Sequence, residues 1–202
     1  MALKFRSHDN DPLMVLIYGE DKTGKSTLAE KYCKNKNLTP VVIDVDNTNF
    51  TDCLIVDYNP WECNNDKQVF DQIMSTIREI ANDTENGIDT IIFDNVTRQI
   101  QLMTPTVEPN GNKFYKFNKR KERFDKMIRC LLKTKLNIIF IGQIDAKITY
   151  DENSKSNDQI ILLNSIVNEK YLCTKTVRNG KSVINPPIAG NNRYIEVKEE
   201  LY

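Results

Sequence analysis

The sequence predicts a three-layer α/β domain with a mainly parallel sheet and a C-terminal β-hairpin, on three observations. Gly19, Glu20, Asp21, Lys22, Thr23, Gly24, Lys25 and Ser26 spell G-x-x-x-x-G-K-[ST] without a gap, between the apolar run Leu13 to Tyr18 and a helix-forming stretch from Ser26 to Asn35. Apolar, β-branched runs then alternate with stretches of helical periodicity as far as Gln143. Finally, Asn179-Gly180 separates two β-rich runs, the strongest short signal for a hairpin.

Length and composition bound the rest. A chain of 202 residues fits one α/β domain with a substantial core. The expected division is a polar tail over 1–12, ending in Asn10-Asp11-Pro12, and a domain over 13–202. Basic and acidic residues balance at 28 each, so affinity for nucleic acid must come from a local basic face and not from net charge. Cys33, Cys53, Cys63, Cys130 and Cys173 are scattered, with no C-x-x-C pair and His8 as the lone histidine. They read as reduced thiols of a cytoplasmic protein. No apolar run approaches the roughly 20 residues of a membrane span, and Met1 to Asp11 is too polar for a signal peptide, so no membrane partner is expected.

Taken in order, Leu13 to Tyr18 is the first strand, and its helix follows the loop directly. Pro40 to Asp46 is a β-branched run ending in carboxylates, and Leu54 to Asp57 is a shorter one. From Lys67 to Ala81, Val69, Phe70, Ile73, Met74, Ile77 and Ile80 recur at helical spacing, and Asn86-Gly87 ends that segment. Asp89 to Asp94 is an apolar strand ending in an acid, followed by a short helix with Val96, Ile100 and Met103 inward. Thr104 to Asn112, with two prolines and a glycine, predicts a loop. Lys119 to Thr134 predicts a helix with Phe124, Ile128, Leu131 and Leu132 toward the core, and Asn137 to Gln143 a buried strand. Asp145 to Gln159 is polar and loop-like. Tyr171 to Val177 and Ser182 to Asn185 form the hairpin, and Arg193 to Val197 an edge strand.

The glycine-rich loop defines the first candidate site. Its glycines let backbone N–H groups curl round an anion, the helix N-terminus adds partial positive charge, and Lys25 reaches the terminal phosphates. Gly19 to Ser26 together with Thr27 are the candidate nucleotide ligands, with ATP and Mg2+ as cofactors and Ser26 on the metal. Asp94, at the end of its strand, fits an acid that holds magnesium through water; its rival role is to cap the helix after Asn95. Asp46 ends the second strand and could polarise the attacking water, with Asp44 as its competitor two residues back. Gln143 closes the strand after Asp94, either as a sensor of the γ-phosphate or as an ordinary turn residue.

A second candidate site is Lys113 to Arg123, which interleaves Phe114, Tyr115 and Phe117 with six cations. Single-stranded nucleic acid is held by such combinations, bases stacking on rings while cations track phosphates. Tyr115, Lys116, Lys119 and Arg120 are the candidates. The competing expectation is a helix with a solvated first turn and Phe114 and Phe117 tucked into the core.

With these motifs in place, the chain resembles the RecA/RadA core ATPases, and most closely the small phage branch of Sak-type recombinases or phage nucleotide-binding proteins. The resemblance runs from Leu13 to Val197. It implies a RecA-type P-loop ATPase with Asp46 as the catalytic acid where the family usually has glutamate, Asp94 as the Walker B acid, Gln143 as the sensor and Lys25 on the phosphates. Lys22 stands where many relatives carry glycine. Thr104 to Asn118 and Ile144 to Gln159 would correspond to the two DNA-facing loops. Thr176 to Lys181 is similar to the family's basic hairpin, which makes Arg178 and Lys181 candidate fingers reaching the nucleotide of a neighbouring subunit. Homo-oligomers, single-stranded DNA and a single-strand-binding protein are the implied partners. The function so implied is that of an ATP-dependent recombination or annealing protein of a phage. A nucleoside or nucleotide kinase and a nucleotide-dependent switch with little turnover are the alternatives, although the polar loop Asp145 to Gln159 has no arginine for a kinase lid.

Overall fold

The computed structural model describes residues 12–48, 50–106, 113–143, 163, 166–178 and 181–190. The expected tail, the segment 144–159 and the expected strand over 193–197 lie outside the described residues, apart from Pro12. The elements run β1 (Met14–Gly19), α1 (Lys25–Lys36), β2 (Pro40–Asp44), β3 (Leu54–Ile55), a 3-10 turn (Pro60–Glu62), α2 (Asp66–Asn82), β4 (Thr90–Asp94) and α3 (Val96–Leu102). There follow α4 (Lys113–Thr134), β5 (Asn137–Gln143), β6 (Glu169–Cys173), β7 (Lys175–Arg178), β8 (Lys181–Ile184) and β9 (Ile188–Gly190).

Seven of the strands form one sheet in the order β3-β2-β4-β5-β1-β6-β9. Every pairing in it is parallel except that of β9 with β6. Strands buried on both faces need apolar side chains at successive positions, which is why Val15-Leu16-Ile17, Ile91-Ile92-Phe93 and Ile138 to Ile141 are unbroken apolar runs. Their side chains alternate between two cores. Leu16, Ile43, Ile91, Phe93, Ile138 and Phe140 face α2, α3 and α4, while Val15, Ile17, Val42, Ile92, Ile139 and Ile141 face Leu28, Ala29, Tyr32 and Cys33 of α1. Two asparagines fix the entry to β1: Asn137 Oδ1 accepts from the Leu13 amide at 3.0 Å and Asn168 Oδ1 from that of Met14 at 2.8 Å. All five cysteines are free thiols.

Several expectations shift. Strand β2 ends at Asp44 and β3 at Ile55, so Asp46 lies on the turn beyond its strand and not at its end. The expected Tyr171–Val177 strand is two elements, β6 in the main sheet and β7 in a separate two-stranded hairpin with β8. The edge beside β6 is taken by β9, which the sequence reading missed. Helix α4 begins at Lys113 and not at Lys119, so Lys113 to Asn118 of the expected loop Thr104 to Asn118 are helical. Lysine, arginine and glutamate are strong helix formers, and Glu122 accepts from both Lys119 at 2.9 Å and Lys126 at 2.6 Å along the helix surface. On the same helix Leu132 is 43% exposed, whereas Met127 is fully buried. Phe124, Met127, Ile128 and Leu131 make a stripe at three- and four-residue spacing, and Leu132, one residue past Leu131, turns off it by about 100°.

Candidate functional site

The glycine-rich loop joins β1 to α1 at the C-terminal edge of the sheet, where open α/β sheets present ligands. Gly19 tolerates no side chain, because a Cβ there would lie 2.1 Å from the Cys173 carbonyl oxygen of the adjacent strand β6. Gly24, at φ 81°, caps α1 without any side-chain hydrogen bond, which leaves the first-turn amides open to an anion. Lys22 occupies φ 57°, a left-handed conformation that glycine adopts more readily. Thr23 is buried, and its hydroxyl donates to the Glu20 carbonyl at 2.8 Å, closing the loop on itself. Lys25 Nζ donates to the same carbonyl at 2.6 Å. Burial lowers the Lys25 ammonium from its ordinary pKa, against the attraction of the Asp94 and Asp21 carboxylates.

Beneath the loop, the Ser26 hydroxyl donates to Asp94 Oδ2 at 2.7 Å, a contact between α1 and the end of β4 across 68 residues of sequence. Asp94 is almost wholly buried, and desolvation pushes its carboxyl up to about 6, opposed by the Ser26 hydrogen bond and reinforced by the Asp44 and Asp46 charges. The helix-capping alternative for Asp94 is answered by its neighbour. Asn95 Oδ1 accepts from the amides of Thr97 at 2.9 Å and Arg98 at 3.2 Å, so Asn95 caps α3 and Asp94 is left for the loop. A hydroxyl and a carboxylate are hard oxygen donors suited to Mg2+, which would draw its remaining ligands from phosphate and water. The residues present therefore fit a magnesium nucleotide.

The two candidate catalytic acids sit differently. Asp44 lies in register with Asp94 on the neighbouring strand and is buried. Burial raises its carboxyl, opposed by backbone amides of Thr48, Asp46 and Asn47. Asp44 Oδ1 accepts from the Asp46 amide at 3.1 Å, so it shapes the turn that carries Asp46. The Asp46 carboxylate is partly exposed and accepts from Asn95 Nδ2 at 3.0 Å. The same Asn95 amide reaches Gln143 Oε1 at 3.3 Å, and the Gln143 amide donates to the Thr97 hydroxyl at 3.1 Å. Asp46 and Gln143 are thus brought together through Asn95 at the ends of β2, β4 and β5.

Three contributors were not singled out by sequence reading. Arg98 Nε stands 3.8 Å from Asp46 Oδ1, and its guanidinium lies 5.2 Å from the ring centroid of Trp61, whose indole N–H donates to the Val45 carbonyl at 2.9 Å. Asn95 entered the sequence reading only as the residue before the short helix. Lys175, at the start of β7, donates from Nζ to the Asp21 carbonyl at 2.7 Å, so the hairpin places a cation against the glycine-rich loop of its own chain. No spacing in the sequence signals these residues, since each meets the site through a sheet or helix contact distant in the chain. Beside the loop a 410 Å3 cleft opens between Thr27, Leu28 and Lys31 of α1 and Ile184, Pro186 and Pro187 after the hairpin.

The remaining candidates lie elsewhere. Arg178 ends β7 and Lys181 starts β8, paired in register across the hairpin. On α4, Phe114 is 79%, Tyr115 58% and Phe117 48% exposed, so the expectation that Phe114 and Phe117 tuck into the core is overturned. Lys119 is paired with Glu122, and the Arg120 guanidinium lies 5.2 Å from the Phe117 ring. Arg123, counted among the cations of this segment, is buried and joins Asp66 of α2 to the Met103 carbonyl, a structural role.

A mainly parallel sheet with this loop between β1 and α1, and Ser26 joined to an acid at the end of β4, defines a P-loop nucleotide-binding domain. The chain matches the family model described as the AAA domain over residues 11–171 and belongs to that family. No curated protein matches it. Among the described residues no helix is long and apolar enough to cross a membrane.

Proposed function

We propose that the chain is a magnesium-dependent ATPase of RecA type that binds single-stranded DNA, serving strand recombination or annealing in the manner of the phage proteins it resembles. The observation that carries nucleotide chemistry is the Ser26–Asp94 hydrogen bond beneath a loop whose helix-opening amides lack a side-chain cap. In this reading Mg2+ neutralises the terminal phosphates when bound. Ser26 and Asp94 would hold the metal, and Lys25 would exchange the Glu20 carbonyl for the phosphates. The cleft between α1 and the turn after β8 receives the base and ribose, with Leu28, Ile184, Pro186 and Pro187 as apolar walls. Asp46 orients the attacking water, and Gln143, linked to it through Asn95, senses the γ-phosphate.

DNA binding rests on the first two turns of α4. Three aromatic side chains exposed in one basic segment are costly on a free surface, and bases stacking on them, with Lys116, Lys119 and Arg120 on phosphates, would account for the arrangement. Arg178 and Lys181 are proposed to reach the nucleotide of a neighbouring copy, and Lys175 to brace the loop from within its own chain. A switch with little turnover is the second reading, favoured by the contacts of Asp46 with Asn95 and Arg98, which occupy the acid that would act on water.

One experiment separates the readings: ATP turnover by the full chain with magnesium, alone, with oligothymidylate and with nucleosides or nucleotides as acceptors. Stimulation by the oligonucleotide supports the recombinase. Phosphorylation of an acceptor replaces it with a kinase, and tight ATP binding without turnover replaces it with the switch.

A further inference from the structure

Helices α2 and α4 do not close against each other along their outer sides. A groove of about 700 Å3 opens between them. Its floor is apolar, built by Phe70, Met74 and Ala81 of α2 and Cys130 of α4 over the buried Ile77. Its rim is basic, carrying Arg78 on one side and Lys126, Arg129 and Lys133 on the other.

The charges on the rim are uneven in how they are matched. Lys126 is paired with Glu122, and the rim's carboxylate, Asp71, is paired with Lys67. Arg78, Arg129 and Lys133 are exposed and, among the described residues, have no carboxylate partner. On a chain whose formal net charge is zero, three uncompensated cations around one apolar floor are a local asymmetry that calls for an anionic partner. The floor restricts the partner further. A polyphosphate or a bare acidic tract would satisfy the rim and leave Met74 and Ala81 unused. Nucleic acid would seek exposed rings, while Phe70 is partly buried beneath the Arg123 guanidinium at 5.7 Å.

The shape fits an amphipathic helix. Met74, Ile77 and Ala81 lie along one face of α2 at three- and four-residue spacing, and Lys126, Arg129 and Lys133 do so on α4. From Asp71 to Ala81 the groove runs along about 15 Å of helix, the length of about three turns. We infer that this groove is the docking site for an acidic amphipathic helix of a protein partner, its apolar stripe on the Phe70, Met74 and Ala81 floor and its carboxylates on Arg78, Arg129 and Lys133. None of these residues belongs to the glycine-rich loop or the cluster around Asp46, so the inference stands apart from the ATPase proposal.

The test is fluorescence anisotropy of the full-length protein with a fluorescein-labelled synthetic helix of roughly fourteen residues, leucines recurring at every third and fourth position and glutamates flanking them. Saturable binding is expected, weakened at least about tenfold by Arg129→Glu combined with Lys133→Glu, both on the solvent side of α4. Met74→Glu should weaken it as well. The paired charge reversal carries the test if Met74→Glu fails to fold, as circular dichroism would reveal. A control peptide with serine for every leucine should not bind. Absence of saturable binding to the wild type, equal binding of the serine peptide, or unchanged affinity in the double variant would each overturn the inference. So would a double variant that loses labelled oligothymidylate while keeping the peptide, which would make the groove a nucleic-acid face.

Discussion

Replacing Asp94 with asparagine should make the protein more stable while removing its magnesium-dependent nucleotide binding. The carboxylate is buried, and desolvation, reinforced by Asp44 and Asp46 and only partly offset by the Ser26 hydrogen bond and the Lys25 ammonium, lifts its pKa from an ordinary 3.8 to about 6. That rise corresponds to ~3 kcal/mol held against the ionised form at neutral pH, an upper bound on what asparagine would recover. Asparagine keeps an acceptor for the Ser26 hydroxyl and removes the charge. The pH dependence gives the sign. Between about pH 4 and 6 the folded state holds a proton on Asp94 that the unfolded state has lost, so wild-type stability falls as pH rises through that window. Below it the carboxyl is neutral in both states and the penalty vanishes. Thermal melts of the nucleotide-free protein should therefore show Asp94→Asn above wild type by up to on the order of 6–12 °C at about pH 7.5, with the gap closing by about pH 3.5. A gap independent of pH, or a variant less stable at neutral pH, would refute the account of Asp94 as a buried charge whose desolvation outweighs its partners. Calorimetric titration with ATP and magnesium supplies the functional half, and undiminished binding by the variant would refute the metal role.

Lys25→Ala should fold with an unchanged melting profile yet lose tight ATP binding, because the ammonium contacts a loop carbonyl and contributes little to the core; equilibrium dialysis with ATP tests it. Asp46→Asn should slow steady-state turnover with nucleotide affinity kept, while Asp44→Ala, which removes the acceptor that holds the turn, should lower stability in a denaturant titration; turnover lost in Asp44→Asn and kept in Asp46→Asn would transfer the catalytic role to Asp44. Trp61 is the single tryptophan and lies against Arg98, so ATP binding that draws Asp46 from Arg98 should change its emission, and Arg98→Ala should abolish that response in a fluorescence titration. Alanine at Lys116, Lys119 and Arg120 should flatten the salt dependence of oligothymidylate binding by about 0.7 log units per lost phosphate contact. Tyr115→Ala should cost roughly 1–3 kcal/mol of that binding with the slope kept. Lys119, already paired with Glu122, should contribute least of the three cations.

What the sequence made legible follows the reach of each signal. The glycine-rich loop is contiguous, and the buried parallel strands appear as unbroken apolar runs, so β1, β4, β5 and the placing of Asp94 could be found without coordinates. The start of α4 was misplaced because Phe114, Tyr115 and Phe117 resemble a nucleic-acid loop, while the lysines and glutamate around them favour helix. Leu132 was misassigned because it adjoins a true core residue, a difference that a count of apolar residues does not resolve. Arg98, Asn95 and Lys175 were silent for a different reason: each acquires its part through a partner on another element. Lys175 and Asp21, for instance, meet across 154 residues.

That separation bears on how the chain becomes competent during synthesis. Strand β1 precedes every other strand of the sheet along the chain, yet its neighbours are β5 and β6, and its loop is wedged against Cys173 and braced by Lys175. Contacts of such high sequence separation close late, because the entropy of ordering the intervening chain is lost before they form. A nascent chain that has exposed the glycine-rich loop on the ribosome consequently has no finished phosphate cradle until the hairpin has emerged. Nucleotide cannot act as a template before the hairpin is made, and the edges of β1 and β4 that pair with β5 stand open until β5 follows them.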